Sequence, residues 1–253
     1  MKKLLFIPMF AGMLTAISMQ PEIVIKHHNY ISYYNPSTKE ADSVSWDLNA
    51  PLVACDANPV DRKDAFKTDP LAPGSTSPSD YAVNSSVKTS PKYNPDRPAW
   101  IDEGHLFSYQ SAMCTAFGIF ECFYMTNMLP QFHAFNAGDW KTLEVQERIW
   151  ARTASLHEVA GGYGVMNKDT SIYGAMAVQL FPNGHLPGGE VIPAYMWKAI
   201  STNGKPYSVW IMRNCKHSVG DRGFKTNKYN AWLTSIHTFD LVSIGKEIQR
   251  LKL

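Results

Sequence analysis

Apolar and polar positions along the chain change their period in a way that orders the elements. From Glu22 to Tyr34 the residues Ile23, Val24, Ile25, Tyr30, Ile31, Tyr33 and Tyr34 form a β-branched and aromatic run, the pattern of one or two strands. Asn35-Pro36-Ser37-Thr38 predicts a turn, and Ser43 to Leu48 predicts a strand pairing back as a hairpin. A strand is predicted around Trp100-Ile101-Asp102-Glu103-Gly104-His105-Leu106-Phe107, with Gly104 allowing a sharp backbone change. Another is predicted over Phe120 to Met125, ended by Pro130, which cannot continue a ladder. The period then lengthens. Trp140, Leu143, Ile149, Trp150 and Leu156 recur at helical spacing, so Asn136 to Leu156 predicts the clearest helix, capped by Asn136 or Asp139. Gly161-Gly162-Tyr163-Gly164 predicts the turn after it, because it lacks the strand–helix context and the Lys of a phosphate loop. Strands are predicted over 191–200 and 207–212, and a final helix over Thr238 to Leu251.

The remaining sequence changes this picture in three places. Met1-Lys2-Lys3, the apolar Leu4 to Ala16 and the small residues of Ala16-Ile17-Ser18 predict a secretory leader over residues 1–18, too short to span a bilayer comfortably. Residues 19–253 are then one domain with no membrane segment, exported to the periplasm or the exterior. Residues 56–98 are dominated by Pro, Ser, Asp and Asn and predict a long irregular segment, read as an ordered wall beside a site. Four cysteines, Cys55, Cys114, Cys122 and Cys215, allow three disulfide pairings in an exported protein, or stay as buried thiols. Cys114 and Cys122 are near enough in sequence to pair, and the absence of CxxC argues against zinc. The formal charge of +2 falls to about zero once Lys2 and Lys3 leave. Any polyanion surface is therefore a local patch. Seven Trp and twelve Tyr feed a core or a stacking surface, core being the default. No Gly-x-Ser-x-Gly supports an esterase.

The most polar stretch places Asp102 and His105 on one strand, Asn127 after the next, and Asn136 and Glu144 on the helix that follows. Trp140, Glu144 and Arg148 are four apart and share one stripe of that helix, so Glu144 points back towards Asn136. An imidazole serves as a base near neutrality. A hard cation accepts oxygen ligands and keeps several waters, so few protein ligands suffice. The same spacing also suits a structural histidine, and alone it does not decide.

At these residues the chain resembles the DNA/RNA non-specific endonucleases, the Serratia nuclease and endonuclease G group. Their pattern is Asp-Arg-Gly-His, then Ser-Asn-x-x-Pro-Gln, then Asn-x-Gly-x-Trp-x-x-Leu-Glu and a further Arg. This chain reads Asp102-Glu103-Gly104-His105, then Thr126-Asn127-Met128-Leu129-Pro130-Gln131, then Asn136-Ala137-Gly138-Asp139-Trp140-Lys141-Thr142-Leu143-Glu144, then Arg148. Phe66-Lys67-Thr68-Asp69-Pro70, Asp80-Tyr81 and Ile192-Pro193-Ala194-Tyr195-Met196-Trp197-Lys198 extend the likeness from about residue 28 to 215. The resemblance implies an α+β fold, a ββα-metal (His-Me finger) core with a mixed, mainly antiparallel sheet. It implies an Mg²⁺-dependent endonuclease, with Mn²⁺ as a second usable ion and DNA and RNA as substrates. His105 would be the general base, Asn136 the direct metal ligand and Glu144 the residue orienting water. Arg148 would offset phosphate charge and Asn127 would support the site. Asp102 is read as supporting the turn. Nothing in the sequence sets an oligomeric state.

The chain departs from that pattern at two places. Glu103 stands where the family carries Arg, which reverses a charge near the phosphates and costs a few kcal/mol of attraction at an effective dielectric of about 20. Glu103 then points away, recruits a second cation, or marks a catalytically weakened relative that binds nucleic acid or a protein. Asp64 replaces an upstream Arg, leaving Arg62, Lys63 and Lys67 as candidate phosphate contacts. His27-His28 reads as a surface or strand-edge pair and His133 as solvent-facing.

Overall fold

The computed structural model describes residues 22–54, 65–72, 74–81, 101–115, 117–215, 232–236 and 241–250. The expected leader, Arg62 and Lys63 lie outside them. The hairpin reading at the start holds. β1 (Ile23–Lys26), β2 (Ile31–Asn35) and β3 (Glu40–Leu48) form an antiparallel meander. β3 then pairs with β6 (Leu156–Tyr163), followed by β7 (Tyr195–Thr202), β8 (Tyr207–Arg213) and β9 (Trp232–Ile236). The result is a seven-stranded antiparallel sheet in the order β1-β2-β3-β6-β7-β8-β9. Between β3 and β6 the chain leaves the sheet and builds a two-stranded ribbon of β4 (Ile101–His105) and β5 (Met128–Phe132), with helix α1 (Gly118–Glu121) in the connection. A helical segment follows and ends in α2 (Lys141–Ala151). The fold is α+β with a mainly antiparallel sheet.

The central strands are apolar on both faces because both faces are covered. On β7, Met196 and Ile200 join the large core shared with Trp46, Trp140 and Leu143. Trp197 and Ala199, of opposite parity, join Val159, Val209, Ile211 and Ile248. Ile248 belongs to the final helix, α3 (Leu241–Arg250). α3 and the β4–β5–α2 unit therefore sit on opposite faces of the sheet. Among the described residues, no helix is long and apolar enough to cross a membrane.

Four local expectations fail. Phe120 to Met125 is not a strand. It runs through α1 and a 3₁₀ turn at Met125–Asn127, and the strand starts only at Met128. Pro130 lies inside that strand opposite Glu103, which is tolerated because β5 has one partner and its other edge needs no ladder N–H. Gly161 and Gly162 are strand residues. A Cβ on Gly161 would stand 2.4 Å from the Asp42 carbonyl and 2.7 Å from the Trp197 ring, so glycine here permits close approach, and the turn begins at Gly164 with φ 69°. Gly104 likewise sits in regular strand. Its missing side chain makes room for the buried Gln131, whose Cδ would lie 2.2 Å from a Cβ.

Buried amides fasten the ribbon to the sheet. Asn214 accepts from the Phe132 N–H at 2.9 Å and donates to the Pro130 and Pro193 carbonyls, each at 2.9 Å. Ser32 on β2 donates to the Thr126 carbonyl at 2.7 Å. Buried polar groups need such partners, and these fix where the ribbon, and its histidine, stands over the sheet. Cys122 and Cys215 are buried thiols, so the Cys114–Cys122 pairing is not made. Close spacing alone did not bring the two sulfurs into bonding geometry.

Candidate active site

The helix expected from Asn136 begins earlier and in a different geometry. A short turn at His133–Phe135 leads into a π-helical turn at Asn136–Trp140, which passes into α2. Asn136 is therefore inside the helical run and does not cap it. Its side chain is held across the ribbon instead. Asn136 Nδ2 donates to Asp102 Oδ2 at 2.8 Å, and His133 Nδ1 meets the same oxygen at 2.9 Å. This orients the amide, and the carbonyl oxygen is the end that Asp102 does not hold. A π turn displaces side chains from α-helical register and is common at functional sites.

His105 ends β4, 8 % exposed. Its ring lies edge-on to Phe123, with centroids 5.2 Å apart, and is tilted against Phe66 at 5.6 Å. Phe66 comes from the polar upstream segment, so the described part of that segment does wall the site. Two contacts fix the His105 backbone and the chain beyond it. Trp140 Nε1 donates to the His105 carbonyl at 3.0 Å. Asn127 is buried and takes the Phe107 N–H at 2.9 Å while donating to the Phe107 and Cys122 carbonyls at 2.9 and 2.8 Å. Asn127 thus reaches the backbone two residues beyond His105 and acts on position, the supporting place expected for it.

His105, Asn136, Glu144 and Glu103 line one cavity of about 260 Å³, together with Ser108, Tyr109, Gln110, Ala137 and Lys141. Glu103 therefore does not turn away, because it shares the His105 face of β4 by strand alternation. Arg148 stands one helical turn beyond Glu144 and donates to Gln110 of the cavity wall. Lys67 is elsewhere. It bridges Tyr124 and holds its ammonium 4.9 Å over that ring, outside the cavity lining. His27, expected at the surface, is engaged with buried Asp69 at 2.9 Å, whereas His28 is exposed as expected.

Burial pushes the Glu144 carboxyl up to about 7. The positive charges of Lys198, Arg148 and Lys141 oppose that rise, and the negative charge of Glu147 adds to it. The consequence for stability has a definite sign. The folded state holds a proton that the unfolded chain has already released, so this contribution is complete below the unfolded value of 4.5. It is lost as pH rises through about 7. Thermal melts of the metal-free protein between pH 5 and 8 are expected to show a smaller decline in Glu144→Gln than in the parent. Equal declines would place the carboxyl in water.

Sequence reasoning missed Asp102 as the holder of Asn136, Asn214 as the ribbon clamp, and the lining residues Ser108, Tyr109 and Gln110. Asp102 stood in the quoted motif, but nothing local distinguishes a turn support from a cross-ribbon acceptor.

An imidazole from a two-stranded ribbon, an oriented carboxamide from the helix after it and a carboxylate two turns on define a ββα arrangement built round one polar cavity. The family model for DNA/RNA non-specific endonucleases matches residues 15–243. The chain belongs to that family and is thereby an endonuclease, a hydrolase of nucleic acid. Among solved structures it is similar to one described as the EndoG/EndoGI complex, concerned with EndoG inhibition. The identity is 22 % over 78 % of this chain and 76 % of that one, with a TM-score of 0.48. No curated protein sequence matches.

Proposed function

We propose that this chain is an exported, Mg²⁺-dependent endonuclease that hydrolyses phosphodiester bonds in both DNA and RNA, with His105 as general base. The observation that carries the reading is the convergence of His105, Asn136 and Glu144 on one cavity. Its donors are hard oxygens, the Asn136 carbonyl and the Glu144 and Glu103 carboxylates, which suits Mg²⁺ or Mn²⁺. Asn136 would hold the ion, its amide already oriented by Asp102. Once bound, such an ion supplies Lewis-acid stabilisation of charge on the scissile phosphate. His105 takes the proton from water as it attacks phosphorus. The carbonyl bond from Trp140 and the flanking Phe66 and Phe123 rings set the direction of the imidazole. Glu144 orients water in the cavity, and Arg148 offsets charge on the phosphate or the departing oxygen. Arg62 and Lys63 are proposed as phosphate contacts from outside the described residues. Export is supported by the leader-like first 18 residues and by a disulfide at Cys114, since disulfides persist in oxidising compartments.

Digestion of plasmid and of RNA by the purified protein tests the reading. Cleavage is expected with Mg²⁺ or Mn²⁺ and none with EDTA. Digestion that EDTA leaves untouched overturns it.

Glu103 favours a second reading, a weakened nuclease that retains binding. Its carboxylate lines the cavity where a phosphate would enter, and like charges repel there. A Glu103→Arg variant assayed beside the parent separates the two. A rise in kcat/KM of about tenfold or more, equivalent to ~1.4 kcal/mol of recovered attraction, is expected if Glu103 only repels. A fall shows that the carboxylate works in the site.

A further inference from the structure

Behind the cavity, on the face of the sheet that α2 covers, lies a charged cluster that the proposed chemistry does not use. Lys198 on β7 is fully buried, with Nζ 2.9 and 3.0 Å from the two oxygens of Glu147, itself 2 % exposed. Glu158 on β6 is fully buried on the same face. It pairs across the ladders with Trp46 on β3 and Ile200 on β7, diagonal to Lys198. The Lys198 ammonium also stands over two indoles, 4.4 Å from the Trp140 ring centre and 5.2 Å from that of Trp46.

A buried ion pair is weak evidence of stability, because an apolar pair of the same volume packs as well or better. This one has a particular connectivity. Glu147 lies one helical turn after Glu144 on α2. Trp140 is the residue whose indole N–H holds the His105 carbonyl. One ammonium therefore touches the helix that carries Glu144 and the ring that restrains His105. Trp197-Lys198 was also part of the sequence likeness to which no role was attached.

We propose that Lys198 is a positioning residue for the reaction at His105, acting through Trp140 on the His105 backbone and through Glu147 on the placement of Glu144. This rests on the proposed endonuclease chemistry. The charged groups around it are Lys141, Glu144, Glu147 and Arg148 on α2, Glu158 on β6 and Lys198 itself. Three carboxylates thus face one lysine and two other cations, and removing Lys198 leaves Glu147 buried without its partner. Burial, reinforced by Glu147, raises the Glu158 carboxyl well above the usual range.

The experiment compares Lys198→Met, the double variant Lys198→Met/Glu147→Gln, and Trp140→Phe with the parent. Readouts are melting temperature, kcat and KM on plasmid with Mg²⁺, and the ¹⁵N resonances of the His105 ring. Lys198→Met is expected to melt lower, because it orphans a buried carboxylate. The double variant removes that orphan and is expected to recover most of the melting temperature. Its kcat stays at least about tenfold below the parent, with KM little changed and the His105 resonances displaced, because small misplacements of a reacting group cost one to two orders of magnitude. Trp140→Phe keeps an aromatic ring near the ammonium but loses the N–H together with part of the buried indole's volume, and is expected to melt somewhat lower and to lose kcat with the His105 resonances displaced. A double variant that regains parental kcat together with its melting temperature, or a Trp140→Phe protein with parental kcat, overturns the inference and leaves Lys198 a merely structural residue. A parent protein inert with Mg²⁺ would instead fail the endonuclease mechanism. The His105 resonances then still decide whether Lys198 positions the ring, displacement in the double variant supporting it and parental positions refuting it.

Discussion

A His105→Ala protein is expected to keep its fold and to cut plasmid DNA about 10²–10⁴-fold more slowly than the parent, the usual contribution of a positioned general base. The fold survives because the imidazole faces the cavity, and the backbone of His105 is held independently of its ring by Trp140 and by pairing with Met128. Phe66 and Phe123 still pack against each other, their centroids 5.2 Å apart edge to face. Cleavage rates at saturating Mg²⁺, taken with a melting curve, check both halves. Parental rates from the alanine protein would remove His105 from the chemistry whatever the cavity looks like.

Asn127→Ala is expected to act in the opposite order, on stability first and on rate as a consequence. The Asn127 side chain takes one backbone N–H and donates to two backbone carbonyls, all buried. Truncation leaves those three groups in a space with no replacement partner. Each orphaned group costs about 1–3 kcal/mol, so a loss on the order of 3 kcal/mol or more follows. For a domain of this size that lowers the melting temperature by roughly 6–12 °C. The activity that remains below the new transition should be reduced as well, since Phe107 lies two residues beyond His105. A melting temperature within about 2 °C of the parent would mean that solvent reaches these groups. An Asn127 that touched substrate would instead lose rate with stability intact.

The positions of His105, Asn136 and Glu144 were readable because their spacing is carried by a motif of more than forty residues. Their convergence was not readable. It depends on Asp102 reaching Asn136 across the ribbon, on Asn214 clamping β5 to the Pro193 carbonyl, and on Trp140 closing onto His105. These contacts span 34, 21 to 84 and 35 residues respectively. The fate of Glu103 was open in the same way. Strand alternation places it on the face of His105, but whether that face lines a cavity is decided by where α2 lies.

Local periodicity was sufficient for the first hairpin, for β8 and for the body of α2, where apolar side chains recur on the one face each element buries. It misjudged residues whose conformation is imposed by a distant neighbour. Gly161 is strand because Trp197 and the Asp42 carbonyl fill the space of its Cβ. Pro130 is strand because β5 pairs on one edge only. Lys198 is a charge within a strand whose full burial no local pattern marks. The chain's own order of residues thus determined the family, the strand–strand–helix succession and which imidazole, amide and carboxyl side chains are the candidates. Only tertiary structure decided that these share one cavity, that an ammonium stands behind them, and that Asn127 works through backbone. The reason is physical. Hydrogen bonds and excluded volume between residues far apart in sequence leave no periodic trace along it.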